Sequence, residues 1–235
     1  MKVSVILTSY NRPRGVVDAI NSVKSQTYGN WELIVVDDNS DGATLAAIQG
    51  ALGTDVRCRL LTTTVKPEER LLTTRYCTAI NLAIPYATGE LITYLTDDDI
   101  FYPQRLEKFI EVFQNPDVFV AYGQQRMVHV RDDGARVDSG LRPMLGVTRT
   151  PMTHVDHNSF MHRQACFRIV GGWDDSPQNW SAGDLVFFKK LVKYWPFYPV
   201  NFVTDEHRFH SNSVQARCRR GESVVGNKHY GKYNF

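Results

Sequence analysis

No stretch of this chain approaches the roughly 20 consecutive apolar residues that a membrane-spanning helix needs. The short apolar start, "MKVSVILTSYNRPR", is β-branched, is broken by "TSYN" and lacks a small-residue cleavage site, so it reads as a first strand and not as a signal peptide. Cysteine is scarce. Cys58, Cys77, Cys166 and Cys218 are scattered without metal-ligand spacing, which fits buried thiols in a reducing compartment and makes the cytoplasm the expected location. Net charge is scarce too: +2 over 235 residues gives no ground for expecting nucleic acid as a partner. Internal repeats and low-complexity linkers are absent. What positive charge there is gathers late, in Arg217, Arg219, Arg220, Lys228 and Lys232. A solvated tail is the bland reading; an anion-contacting lid, or peripheral contact with a membrane, is the other.

The patterning that is present alternates between two periods. "KVSVILTSY", "WELIVVDD", "VRCRLLT" and "ELITYL" read as buried strands. Between and after them, Val16, Ile20 and Val23, a stretch from Asp41, then Ile80, Ala83, Ile84 and Ala87, and finally Leu106, Phe109, Ile110 and Phe113 recur at helical spacing. Strands alternating with helices imply βαβ units and a mostly parallel, Rossmann-like sheet. The second half is less regular. "VFVAYGQQRMVHV" predicts a long strand, "RDDGARV" a hairpin turn, "FYPVNFVT" an edge strand, and Phe188, Leu191, Val192 and Trp195 a last helix. Residues 142–160 carry little periodic signal. The expectation is one α/β domain over residues 1–235: a nucleotide-binding half (1–100), a smaller acceptor and catalytic half of mixed strands and helix (101–205), and a flexible basic segment (206–235).

Ligands of such sheets bind beyond the carboxyl ends of the strands. Three of those ends carry unusual chemistry: "TSYNRP", "DDNSD" and "TDDDI". Adjacent like charges repel, so Asp97, Asp98 and Asp99 call for a cation. A hard divalent cation such as Mg²⁺ takes carboxylate oxygens and is commonly completed by substrate phosphates. The bland alternative is a strand-end turn. Asp38 has the chemistry to accept the imide N–H of a uracil or thymine, and Tyr10 to stack on a base, while Asp41 reads as a helix N-cap. Lys66, Arg70 and Arg75 offer cations for phosphate oxygens near a helix start, or simply partners for Glu68 and Glu69. Trp173 and Trp180 suit either sugar stacking or core packing.

Several motifs recur together and in order: "VSVILTSYNRP", "WELIVVDDNSD", "TTRYCTAINLAI", "GELITYLTDDD", "VDHNSFMHR", "WDDSPQNWSAGDLVFF" and "WPFYPV". To about residue 205 the chain thereby resembles a family 2 glycosyltransferase of GT-A fold, most closely those of spore-coat polysaccharide. The resemblance implies that Thr8, Tyr10 and Asp38 hold the base of a nucleoside diphosphate, that Arg70 reaches the nucleotide and that Asp97 approaches the ribose. It implies that Asp98 ligates Mg²⁺ or Mn²⁺. Asp99 stands where the relative has asparagine, so a further metal ligand, a water-mediated one and a helix N-cap stay open for it. His207 and His210 are weaker candidates to complete the metal.

Inverting transfer also needs a carboxylate to take the acceptor proton. Asp184 matches the family's base, Asp156 is the second candidate, and Asp174 and Asp175 read as loop residues near the acceptor. The implied donor is a UDP- or dTDP-sugar and the acceptor a carbohydrate or other hydroxyl, as in polysaccharide or glycan biosynthesis. Closure of the 63–72 loop and the C-terminal segment would exclude water. Two rivals stand. A sugar-1-phosphate nucleotidyltransferase needs a Gly-rich basic loop, where "TSYNRPRG" has one glycine. The other is a non-catalytic nucleotide-sugar or glycan-binding module.

Overall fold

The computed structural model describes residues 1–131, 133–152, 154–180 and 182–211. Four strands form the parallel half of one sheet: β1 (Val3–Ser9), β2 (Trp31–Asp37), β3 (Cys58–Thr62) and β4 (Leu91–Thr96). Their connections carry helices α1 (Pro13–Lys24), α2 (Gly42–Leu52) and α3 (Arg75–Ala83). Beyond β4 come β5 (Ile100–Phe101), α4 (Arg105–Phe113), β6 (Val120–Val130), β7 (Arg136–Leu141), β8 (Phe160–Arg163), α5 (Phe167–Val170), α6 (Gly183–Leu191) and β9 (Phe197–His210). The sheet runs β3-β2-β1-β4-β8-β6-β9-β5, with β7 hairpinned onto β6.

Both faces of the sheet are covered, which is why its central strands read as unbroken apolar runs. On one face α1, α2 and α4 bury Val16, Ile20, Ile48, Leu106 and Phe109 against Val5, Leu7, Leu33 and Leu95. On the other, α3 and α6 bury Ile80, Ala83, Phe187 and Phe188 against Ile6, Val36, Tyr94 and Phe160. The predicted faces of α1 and α4 are therefore the packed ones, whereas α3 and α6 end at Ala83 and Leu191 and leave Ile84, Ala87, Val192 and Trp195 beyond their helices. Asp41 caps α2, accepting the Thr44 N–H at 2.8 Å.

The second half corrects two expectations. At the end of the featureless stretch 142–160, β8 pairs antiparallel with both β4 and β6 and joins the two halves of the sheet. With only four residues, it is too short to show a period. The predicted edge strand "FYPVNFVT" runs on to His210, pairing parallel with β6 and briefly with β5. Residues 206–210, expected in a flexible segment, are thus part of the sheet; the basic residues from Arg217 onward lie outside the described residues. Cys58, Cys77 and Cys166 are free thiols. Among the described residues, no helix is long and apolar enough to cross a membrane.

Candidate active site

Parallel register brings the three acidic and polar strand ends to one edge. Thr8 lies opposite Val36 on one side and Thr96 on the other, and Ser9 opposite Asp37. Beyond Ser9 the chain turns through Asn11 at φ 52°, a left-handed conformation uncommon outside glycine. Two bonds to the neighbouring strand end hold that turn: the Asn11 N–H donates to Ser40 Oγ at 3.0 Å, and the Asp41 N–H to Asn11 Oδ1 at 2.8 Å. The turn aims Arg12 back at β4. Its Nη1 meets Asp98 Oδ2 at 2.8 Å and its Nε lies 3.7 Å from Asp97 Oδ1. The cation that the triplet called for is therefore supplied by the chain itself.

The three aspartates have three environments. Asp97 is buried and accepts the Tyr10 N–H at 2.8 Å; burial, then Asp98, raise its pKa. Asp98 keeps a partly exposed carboxylate, with Arg12 as its counter-ion. Asp99 is buried with its oxygens taken: Asn158 Nδ2 at 2.5 Å and His207 at 2.9 Å on Oδ2, and the Arg208 N–H at 2.7 Å on Oδ1. As placed, Asp99 is an anchor for His207 and not a ligand with an oxygen to offer. Nor is it a helix cap, since α4 begins six residues later behind Gln104.

Among the described residues, no three His, Cys, Asp or Glu side chains stand together as a ready-made metal site. A divalent cation shared with a diphosphate needs only one or two protein carboxylates. Asp98 fits that role once Arg12 yields. His207 Nδ1 is committed to Asp99, so only its Nε2 could turn toward a metal. Burial disfavours a charged imidazole, yet Asp99, Asp156 and Asp98 outweigh it and lift His207 to about 9.

At the end of β2, Asp38 is also spoken for. Arg70 donates to its Oδ2 at 2.7 Å and to its carbonyl at 2.8 Å, Arg75 pairs with both carboxylate oxygens, and Thr63 donates at 2.8 Å. The Arg70 guanidinium also lies 3.4 Å from the centre of the Tyr10 ring. A base reaching Tyr10 and Asp38 therefore meets an arginine-braced pair, and an imide N–H must displace a guanidinium donor. Glu69 does not pair with these arginines; it accepts the Lys66 N–H at 2.9 Å, closing the short turn that turns Arg70 inward.

On the acceptor side, Asp184 is half-buried at the second residue of α6; Ala182 holds the N-cap position. Asp184 Oδ1 accepts the Leu185 N–H at 2.8 Å, and its own N–H points to Tyr76 Oη at 3.3 Å. Gly183 permits this approach, because a Cβ there would collide with Cys77 Sγ on α3. Burial raises the Asp184 pKa; His157 opposes that and Asp156 adds to it. The result is a carboxyl tuned upward, as a general base requires.

Asp156 is the opposite case and is not placed as a base. Its Oδ1 accepts the N–H groups of Asn158 at 2.9 Å and Ser159 at 3.2 Å, and Gln125 Nε2 at 3.2 Å. Burial alone would raise it, but Arg142, His207 and His157 together hold it at about 2. It organises the loop before β8. Asp174 and Asp175 likewise serve loop structure, accepting from Ser176 and Thr78. Trp173 is core, stacked on Phe187 at 4.6 Å with its N–H on Tyr94 Oη at 3.1 Å.

Beneath the site lies a residue the sequence did not single out. Arg105, fully buried, donates to Asp205 at 2.6 Å, Asn158 O at 2.6 Å, Thr93 at 3.0 Å and Thr204 at 3.1 Å. It holds Asn158, which holds Asp99, which holds His207. A basic residue at the start of "RLEKFIEVF" looks solvated when only helical period is considered.

The model of "Glycosyl transferase family 2" matches residues 4–170. The chain belongs to that family. It is 40% identical over 210 residues to Protein CgeD of Bacillus subtilis, a match covering 87% of this chain and 49% of that protein. The family 2 chain therefore spans about half the length of that relative. Among solved structures it resembles S. aureus TarS 1-349 in complex with UDP-GlcNAc, with a TM-score of 0.64, 16% identity, 100% of this chain and 62% of that one. It also resembles the mannosyltransferase PcManGT from Pyrobaculum calidifontis in complex with GDP-Man and Mn²⁺, with a TM-score of 0.61, 16% identity, 93% and 60% coverage. The fold is GT-A.

Proposed function

We propose that this family 2 chain is an inverting glycosyltransferase that moves a sugar from a nucleotide diphosphate sugar to a hydroxyl acceptor. One observation carries the reading: the sheet edge gathers Tyr10, Asp38 and Asp97–Asp99, and α6 carries a half-buried carboxyl, Asp184, raised in pKa and sensing Asp156, which lies 3.9 Å from the histidine paired with Asp99. Thr8, Tyr10, Asp38 and Arg70 form the base-binding end, and Asp97 approaches the ribose. Asp98 would hold Mg²⁺ or Mn²⁺, which supplies charge neutralisation at the departing diphosphate. The donor is UDP- or dTDP-linked.

In the transfer, the acceptor oxygen forms a bond to the anomeric carbon as the bond from that carbon to the diphosphate oxygen breaks. The electron pair leaves with the diphosphate. Asp184 takes the acceptor proton on the face opposite the leaving group, so configuration inverts. Asp156 and Asn158 keep the loop before β8 in place. The likeness in fold to TarS in complex with UDP-GlcNAc and to PcManGT in complex with GDP-Man and Mn²⁺ supports a nucleotide-sugar donor.

A thermal-shift screen of UDP, dTDP and GDP with and without Mn²⁺ tests the reading, followed by release of free nucleoside diphosphate from the donor. Metal-dependent stabilisation by a uridine or thymidine diphosphate is expected. No stabilisation by any nucleoside diphosphate would overturn it.

A further inference from the structure

The acidic end of β4 is neutralised from within the chain, by an arginine whose backbone is held in place. Asn11 adopts its left-handed conformation under two bonds from Ser40 and Asp41, and Pro13 starts α1 immediately after Arg12. Gly15, in the first turn of α1, abuts the Asp97 carbonyl so closely that a Cβ would collide with it. The same backbone that carries the aspartates is thus in contact with the helix that follows the arginine. Arg12 and Asp98 remain partly open, with side-chain exposures of 30% and 22%. An arginine and a divalent cation cannot both occupy the open side of one carboxylate, since like charges repel at such range.

We propose that Arg12 is the resident counter-ion of Asp98 while no donor is bound, and that a divalent cation displaces it only when a nucleoside diphosphate arrives to take up the freed guanidinium. Arg12 then has two partners in turn, a carboxylate and a phosphate, both of which suit its fork of N–H donors. Metal and nucleotide become coupled ligands through one side chain: each makes room for the other, and the coupling is reciprocal. The inference rests on the reading that Asp98 is the metal ligand.

The test measures binding and not turnover. Free Mn²⁺ is followed by its electron paramagnetic resonance signal as protein is added, with and without UDP. For the unaltered chain, Mn²⁺ alone binds weakly and UDP tightens it. Arg12→Gln should bind Mn²⁺ alone about two- to fivefold more tightly, the worth of a partly exposed ion pair. It should bind UDP alone more weakly, and the tightening by UDP should shrink. Arg12→Lys keeps a charge and should stay near the unaltered chain, which separates loss of charge from loss of fold. Mn²⁺ affinity unchanged or weakened in Arg12→Gln overturns the inference and leaves the metal reading standing. Asp98→Asn should abolish Mn²⁺ binding; retained binding there overturns the metal reading and the inference with it.

Discussion

Arg105→Met tests whether the post beneath the site is electrostatic or merely steric. The Arg105–Asp205 pair has no exposed surface on either side chain. Desolvation dominates both partners: Asp205 is raised to about 6 and Arg105 lowered to about 10, despite their 2.6 Å contact. Removing the cation strands a buried carboxylate that still receives Gln125 at 2.6 Å, a loss of about 3–5 kcal/mol for breaking a buried pair. At roughly 2–4 °C per kcal/mol for a chain of this size, melting falls by roughly 6–20 °C.

The loss should depend on pH. A carboxyl raised in the fold stabilises it only while neutral, so that contribution is whole below the ordinary 3.8 and lost as pH rises through about 6. Without Arg105 nothing opposes burial at that strength, so the variant's deficit is small near pH 4 and grows toward pH 8. Melting curves at pH 4.5, 6 and 8 measure this. The double change Arg105→Met with Asp205→Leu should recover much of the loss, because apolar replacement of a buried pair is often neutral. An Arg105→Met deficit equal at pH 4.5 and 8 would refute the electrostatic account and leave only a packing defect.

Asp184→Asn should keep nucleotide binding, measured by thermal shift, and lose about 10²–10⁴ in the rate of diphosphate release. In the unaltered chain the acid limb of that rate should lie above the ordinary carboxyl range, since burial raises Asp184, and activity should fall as pH drops through it. Asp156→Asn should move that limb slightly downward, since the Asp156 charge adds to the rise at Asp184, and lower stability by about 2 kcal/mol at neutral pH, read by urea unfolding. Because the folded Asp156 value is depressed to about 2, its contribution is present above 3.8 and lost as pH falls toward 2. Gly15→Ala should cost about 1–3 kcal/mol by driving a methyl into the Asp97 carbonyl, and should weaken Mn²⁺ and UDP binding together, as calorimetry would show.

The parallel half of the fold was legible because its causes are local. Periods of two and 3.6 mark β1 to β4 and their helices, and parallel strands necessarily bring Tyr10, Asp38 and the aspartates to one edge. Chemistry at strand ends follows from topology alone, so those residues could be named before any coordinate. Asp184 was legible through family motifs, while its raised pKa depends on burial that no motif carries.

Partnership was not legible, because it is decided by contacts across long sequence separations. Asp99 and His207 are 108 residues apart, and Arg105 and Asp205 are 100 apart. Whether a carboxylate offers its oxygens to a metal, or spends them on Asn158 and a histidine, depends on where β8 and β9 are inserted. β8 is too short to show a period, and β9 continues through residues that read as a tail. The sequence by itself determined which charges gather at the sheet edge. Tertiary structure decided which of them are already neutralised, since an ion pair forms only where the fold brings its two members within a few ångströms, as it does for Arg12 and Asp98.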